Sequence, residues 1–185
     1  MDLKNSMLLA NMMSNDILYN PILDGSEDIH TISGLTAPYI SNNTLIGGGG
    51  YLTKGWKNVD KWKLTFTGTC QNLSSIALFL PNVDQRDYNN FTITSGMSIY
   101  AYSNVREIED FYLFHNLPAN QHMDAYWVDV TFEKIDTTTL NVKVGSLEKS
   151  YNWSVLSSTN IMCIGVDYWS TNSHGNLKNI LVKKI

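Results

Sequence analysis

The run Ala125-Tyr126-Trp127-Val128-Asp129-Val130-Thr131-Phe132-Glu133-Lys134 is followed by a turn and then by Thr139-Leu140-Asn141-Val142-Lys143-Val144-Gly145. After Trp153 come Ile161-Met162-Cys163-Ile164-Gly165-Val166-Asp167, a polar stretch, and Leu177-Lys178-Asn179-Ile180-Leu181-Val182-Lys183-Lys184-Ile185. Each piece is a short β-favouring run bounded by Gly, Asn, Asp or Ser, the pattern of an antiparallel all-β domain. Val128, Val130 and Phe132 are expected on one face of their strand, and Leu140, Val142 and Val144 on one face of the next. Thr137-Thr138 falls at the hairpin between them.

Working outward, Trp62-Lys63-Leu64-Thr65-Phe66-Thr67 alternates large apolar with polar residues, so Trp62, Leu64 and Phe66 are expected to face inward. Ile76-Ala77-Leu78-Phe79-Leu80 is continuously apolar and reads as a central strand stopped by Pro81. Ser98–Tyr102 and Phe111–Phe114 are further strands. Gly47-Gly48-Gly49-Gly50 lacks the following Lys-Ser/Thr of a phosphate loop and reads as a tight bend or a close backbone approach. Strands at short intervals with turn signals predict a two-sheet antiparallel β-sandwich, a jelly roll, over residues 35–185. Residues 1–34 form a separate segment. Leu3, Met7, Leu8, Met12 and Met13 fall near helical spacing, compatible with a short helix, a frayed start, or an oligomerisation or docking handle.

Bulk composition narrows the function. The 185 residues suit one domain with a full core, and only 16% of them are charged, with a net charge of −4. Without a cluster of basic side chains to neutralise phosphates, nucleic acid is a poor partner. No apolar run is long enough to insert as a membrane helix. Asp2 and Asn11 spoil a signal-peptide reading of the start, so an extracellular site is expected to be reached by another route, such as assembly into a virion. The polar share rests on Asn, Ser and Thr, which suits neutral hydrogen-bonding ligands and equally reflects an AT-rich coding bias. Cys70 and Cys163 read as two buried thiols or a single bridge.

The ordered set Trp127-Val128-Asp129-Val130, Leu140 through Gly145, Cys163-Ile164-Gly165-Val166 and Leu177-Lys178-Asn179-Ile180-Leu181-Val182 resembles the concanavalin A-like jelly roll of laminin-G and pentraxin domains. Trp62-Lys63-Leu64-Thr65-Phe66 resembles the early strand that pairs beside the last one. In composition the chain also resembles phage tail-fibre and receptor-binding domains. These resemblances imply a lectin-like sandwich that binds a cell-surface glycan without cleaving it. The resemblance further implies a viral particle as the carrier, with further copies of the chain in a trimer and other virion proteins as partners. The alternatives are a virion assembly protein making protein contacts only, and a glycan hydrolase.

Chemistry-bearing residues fit the first reading best. Arg106-Glu107-Ile108-Glu109-Asp110 is the nearest approach to a paired-carboxylate strand, but its spacing departs from the hydrolase pattern. The four histidines, His30, His115, His122 and His174, make no zinc set. Calcium is the one ion such sandwiches commonly use, with Asp84, Asp87 and Asp167 as its candidate oxygens. Sugar binding needs an exposed ring plus amides or charged groups to fix hydroxyls. Tyr168, Trp169, Asn172 and His174 in one connection, and Arg86, Asp87, Tyr88 and Asn89 in another, supply both. Trp153 and Trp56 are further candidates, whereas Trp62 and Trp127 are expected to plug the ends of the sandwich.

Overall fold

The structure is a computed structural model. It describes residues 16–21, 29–31, 39–42, 44–46, 50–71, 75–81, 93–100, 105–107, 112–114, 126–158, 161–167 and 174–185. The strands are β1 (Ile17–Tyr19), β2 (Ile29–Thr31), β3 (Tyr39–Ser41), β4 (Thr44–Ile46), β5 (Gly50–Lys57), β6 (Trp62–Gln71), β7 (Ser75–Pro81) and β8 (Ile93–Tyr100). They continue as β9 (Val105–Glu107), β10 (Tyr112–Phe114), β11 (Val128–Lys134), β12 (Thr139–Val144), β13 (Leu147–Asn152), β14 (Ile161–Asp167) and β15 (His174–Lys184), with a 3-10 turn at Ser154–Ser158. One sheet runs β13-β12-β11-β6-β15-β4-β3, with β1 also on β15, and the other runs β10-β9-β8-β7-β14-β5-β2. This is the all-β, two-sheet antiparallel sandwich expected from the sequence.

The first sheet packs its inner face as the alternation dictates. Trp62, Leu64 and Phe66 of β6, Val128, Val130 and Phe132 of β11, and Leu140, Val142 and Val144 of β12 are all buried. Phe66 stacks on Phe132 with ring centroids 6.3 Å apart. Full burial of each such side chain stabilises the fold by about 1.5–3 kcal/mol.

Two irregularities shape the strands. In β15, Lys178 faces Thr67 and Leu181 faces Thr65, so Asn179 and Ile180 oppose Phe66 alone, and Asn179 sits at φ 57. This is a β-bulge, and it lies within the Leu177–Val182 stretch that carried the resemblance. The extra residue keeps Leu177, Ile180 and Val182 all inward. It also marks a change of neighbour: β15 pairs with β4 at Leu177 and Lys178, and with β1 at Val182 and Lys183. In β5, Met162 faces Trp56 while Ile164 faces Leu52, so three residues oppose Cys163. Gly55 in that bulge has φ +53, and a Cβ there would lie 1.9 Å from the Met162 carbonyl oxygen. The bend or close approach expected at Gly47-Gly48-Gly49-Gly50 falls, but for Gly50, outside the described residues, and Gly55 is a glycine that the sequence reading did not single out.

Some expectations need correction or concern residues outside those described. The sandwich begins before residue 35, because β1 pairs with β15 and β2 with β5. The strand β13 was not legible, since Leu147–Asn152 is mostly exposed and carries no apolar alternation. The helix expected near the start and the loop from Asn82 to Asn90 lie outside the described residues.

At the end of the sandwich opposite Trp127, a buried polar cluster joins three segments. Lys134, only 4% exposed, donates from Nζ to Asn58 Oδ1 at 2.9 Å and to the Val59 carbonyl at 3.0 Å. Trp62 Nε1 donates to the same Asn58 oxygen at 2.8 Å, and Asn58 Nδ2 donates to the Leu156 carbonyl at 2.8 Å. Burial lowers the Lys134 pKa, partly opposed by Asp60 and Asp136.

Candidate functional site

The outer face of the first sheet is built by the residues that alternate with the core. Along β11 these are Asp129, Thr131 and Glu133, since Val128, Val130 and Phe132 point inward. Trp127 precedes Val128 and continues the outward row, a parity that period-two alternation requires. It is 45% exposed. The expectation that Trp127 plugs the sandwich is thus overturned: its parity with Asp129 puts its ring outside.

Neighbouring strands complete the face by register. Asp129 faces Thr67 of β6, Thr67 faces Lys178 of β15, and Lys178 faces Thr44 of β4. Thr67 Oγ1 donates to Asp129 Oδ1 at 2.8 Å. Lys178 Nζ lies 3.9 Å from the centroid of the Trp127 ring. A cation over an indole holds the ring in place and occupies one face of it. Nearly half of the Trp127 surface remains open to solvent beside that contact.

Beyond Asp129 an open groove of about 250 Å³ is lined by Lys63, Asp129, Thr131, Glu133, Asn141, Lys143, Gly145 and Glu148. Its charges are paired across strands, Lys63 with Glu133 at 3.2 Å and Lys143 with Glu148 at 3.9 Å. Ser150 Oγ donates to Asn141 Oδ1. Exposed pairs like these contribute little stability, about 0–1 kcal/mol each. Chemically, they make the groove a set of donors and acceptors with no dominant sign of charge.

The sequence-chosen residues fall differently. Trp153 is 1% exposed, its backbone N–H bonded to the Thr138 carbonyl, so it is a core residue and offers no surface for a sugar. Trp56 is likewise buried, in contact with Tyr19 and Trp62. Tyr168, Trp169, Asn172, Arg86, Asp87, Tyr88 and Asn89 lie outside the described residues. His174 opens β15 opposite Gln71, two residues before Asn176, at the Trp127 end of the sheet. Among the calcium candidates, Asp84 and Asp87 lie outside the described residues, and Asp167 ends β14. Among the described residues, no group of three or more His, Cys, Asp or Glu is placed to hold a metal. No helix among them is long and apolar enough to cross a membrane.

No family model matches the sequence, and no curated protein matches it. Solved structures do match the fold. A lectin from Bauhinia forficata in complex with GalNAc aligns at a TM-score of 0.60 and 12% identity, over 86% of this chain and 93% of that one. A Bacillus subtilis protein of unknown function with a galectin-like fold aligns at 0.58 and 14% identity, over 92% and 96%. A Parabacteroides distasonis protein provisionally named a glycosyl hydrolase aligns at 0.53 and 9% identity, over 86% and 94%. At these identities the likeness establishes the fold, which is the concanavalin A-like lectin jelly roll.

Proposed function

We propose that the chain is a non-catalytic carbohydrate-binding domain whose site is the outer face of the first sheet, centred on Trp127. The observation that carries this reading is the half-exposed indole at the head of the row Trp127, Asp129, Thr131, Glu133, continuous with the polar groove. An open aromatic face accepts the C–H face of a pyranose, and carboxylate, hydroxyl and amide groups beside it fix the hydroxyls. The sandwich likeness to a GalNAc-bound lectin is consistent with this use.

Non-catalytic action is supported by the spacing of the carboxylates along the strand. Asp129 and Glu133 are four positions apart, about 13 Å at a rise of ~3.4 Å per residue. Glycoside hydrolysis wants its two carboxyls roughly 5–9.5 Å apart.

The segment holding Tyr168, Trp169 and Asn172 is proposed to add to the same site, because the strand it leads into starts at His174, beside the Trp127 row. Arg86, Asp87, Tyr88 and Asn89 are proposed as a separate contribution from the connection between β7 and β8. The wider proposal places the domain on a virion, as a host-attachment module present in several copies. Linked copies raise avidity without any new contact, which suits weak single-site sugar binding.

A glycan array tests the reading. Wild type is expected to bind a subset of neutral glycans, and Trp127→Ala to lose them while remaining folded by circular dichroism. An array on which wild type binds nothing overturns it in favour of an assembly protein that makes protein contacts only.

A further inference from the structure

A second exposed ring shares the face with Trp127. Tyr39 on β3 is 57% exposed and faces Ile46 of β4, while Ile40 beside it faces Leu45, which is buried. Tyr39 and Ile46 are therefore outward. Leu177 faces Leu45, so Asn176 is level with Ile46, and Asn176 faces Thr69 of β6. Val128 faces Gly68, so Trp127 is level with Thr69. The two rings thus end a single cross-strand row: Tyr39, Ile46, Asn176, Thr69, Trp127. Four inter-strand steps separate them, about 19 Å at ~4.8 Å per step.

We infer that this row is an extended subsite for a linear, neutral oligosaccharide lying across the strands, with Tyr39 stacking on a sugar several units from the one on Trp127. The inference rests on the carbohydrate-binding reading above. A monosaccharide cannot reach both rings, so the pair rewards length. Between the rings the row carries Asn176, Ile46 and Thr69, the last of them buried, and no acid or base. The nearest charges are one of each sign, Lys178 with its Nζ 3.9 Å from the Trp127 centroid and Asp129 on the same outward row as Trp127, and in the rows below Lys63 is matched by Glu133 and Lys143 by Glu148. With the two signs balanced, an anionic chain has little net attraction to this face, whereas ring C–H faces meet Tyr39, Ile46 and Trp127 and hydroxyls meet Asn176. The sequence offered no hint of this pairing, because β3 and β11 meet the same row only through β4, β15 and β6.

The test uses an array of linear neutral oligomers of glucose, N-acetylglucosamine, galactose and mannose, from monosaccharide to octasaccharide, probed with wild type, Tyr39→Ala, Tyr39→Phe and Trp127→Ala. For sugars whose binding depends on Trp127, wild type is expected to favour long chains over the mono- and disaccharide by about tenfold, the factor of one contact worth roughly 1.4 kcal/mol. Tyr39→Ala should erase that preference and leave short-chain binding unchanged, and Tyr39→Phe should restore it. Trp127-dependent binding without a length preference, or a preference that survives Tyr39→Ala, overturns this inference alone. An array silent for wild type overturns it together with the carbohydrate-binding reading.

Discussion

Asn58 is the residue whose removal should cost most for its size. Its side-chain oxygen accepts from both Lys134 Nζ and Trp62 Nε1, and its amide donates to the Leu156 carbonyl. Asn58→Ala therefore strips partners from a buried cation, an indole N–H and a carbonyl at once. A hydrogen bond to a charged group is worth about 1.5–3 kcal/mol and a neutral one about 1 kcal/mol, so the loss should be roughly 3–5 kcal/mol. Lys134→Met should behave differently. It removes a charge whose burial is unfavourable and leaves Asn58 still accepting from Trp62, so stability should change by about 1 kcal/mol or less. In the Lys134→Met background, Asn58→Ala should then cost about 2 kcal/mol less than in wild type, the signature of direct coupling. Burial lowers the folded-state pKa of Lys134 below the ordinary 10.5. Between those two values the unfolded chain holds a proton that the folded chain has released, so stability rises with pH across that window. Lys134→Met should lack this rise. Urea unfolding of the four proteins at neutral pH and through the alkaline range up to 10.5 reads both effects. An Asn58→Ala cost under about 1 kcal/mol, or additive effects, would refute the assignment of this cluster as a structural hub.

Other consequences follow from single residues. Gly55→Ala should destabilise by roughly 3 kcal/mol or more, because the added Cβ meets the Met162 carbonyl and the backbone is left-handed there; a urea midpoint near wild type would contradict the bulge geometry. Asp136 accepts from the Thr138 and Thr139 backbone N–H groups, and the Thr138 bond foremost holds its pKa below the ordinary 3.8. That contribution is present above 3.8 and lost as pH falls toward the lowered value, so Asp136→Asn should be less stable than wild type at pH 7 and converge with it in acid, as followed by thermal unfolding. Lys178→Ala should leave folding intact and weaken binding of array-positive glycans by about two- to fivefold, the worth of one exposed cation–π contact that orients Trp127; unchanged affinity in titration calorimetry would show that the ring needs no such support.

Much of the fold was legible because period-two alternation is a strong local signal. Trp62, Leu64, Phe66, Val128, Val130 and Phe132 announced their buried face, whereas the bulge at Asn179-Ile180 was not foreseen. The same signal applied one residue earlier would have put Trp127 outside. A large ring is ordinarily buried, but at this position parity with Asp129 decides. Trp153 was misread for the converse reason. Its neighbours Asn152 and Ser154 are exposed and polar, yet its own ring turns inward into the core, a direction that no flanking residue encodes. The three-residue strands β1 to β4 were hidden because each is shorter than any periodicity, and β13 because an exposed sheet edge needs no apolar face. Tyr39 joins the site only through cross-strand register, which a single sequence does not display.

The most direct test of the central claim is an indole N–H spectrum of the protein, recorded as the strongest array glycan is titrated in. The five tryptophans of the chain give one resonance each. Sugar stacked on the outer face should shift the Trp127 resonance and leave those of the buried Trp56, Trp62 and Trp153 in place. A titration in which Trp127 stays still while the glycan binds would contradict the account, and movement of Trp169 alone would place the site on the connection before β15 instead.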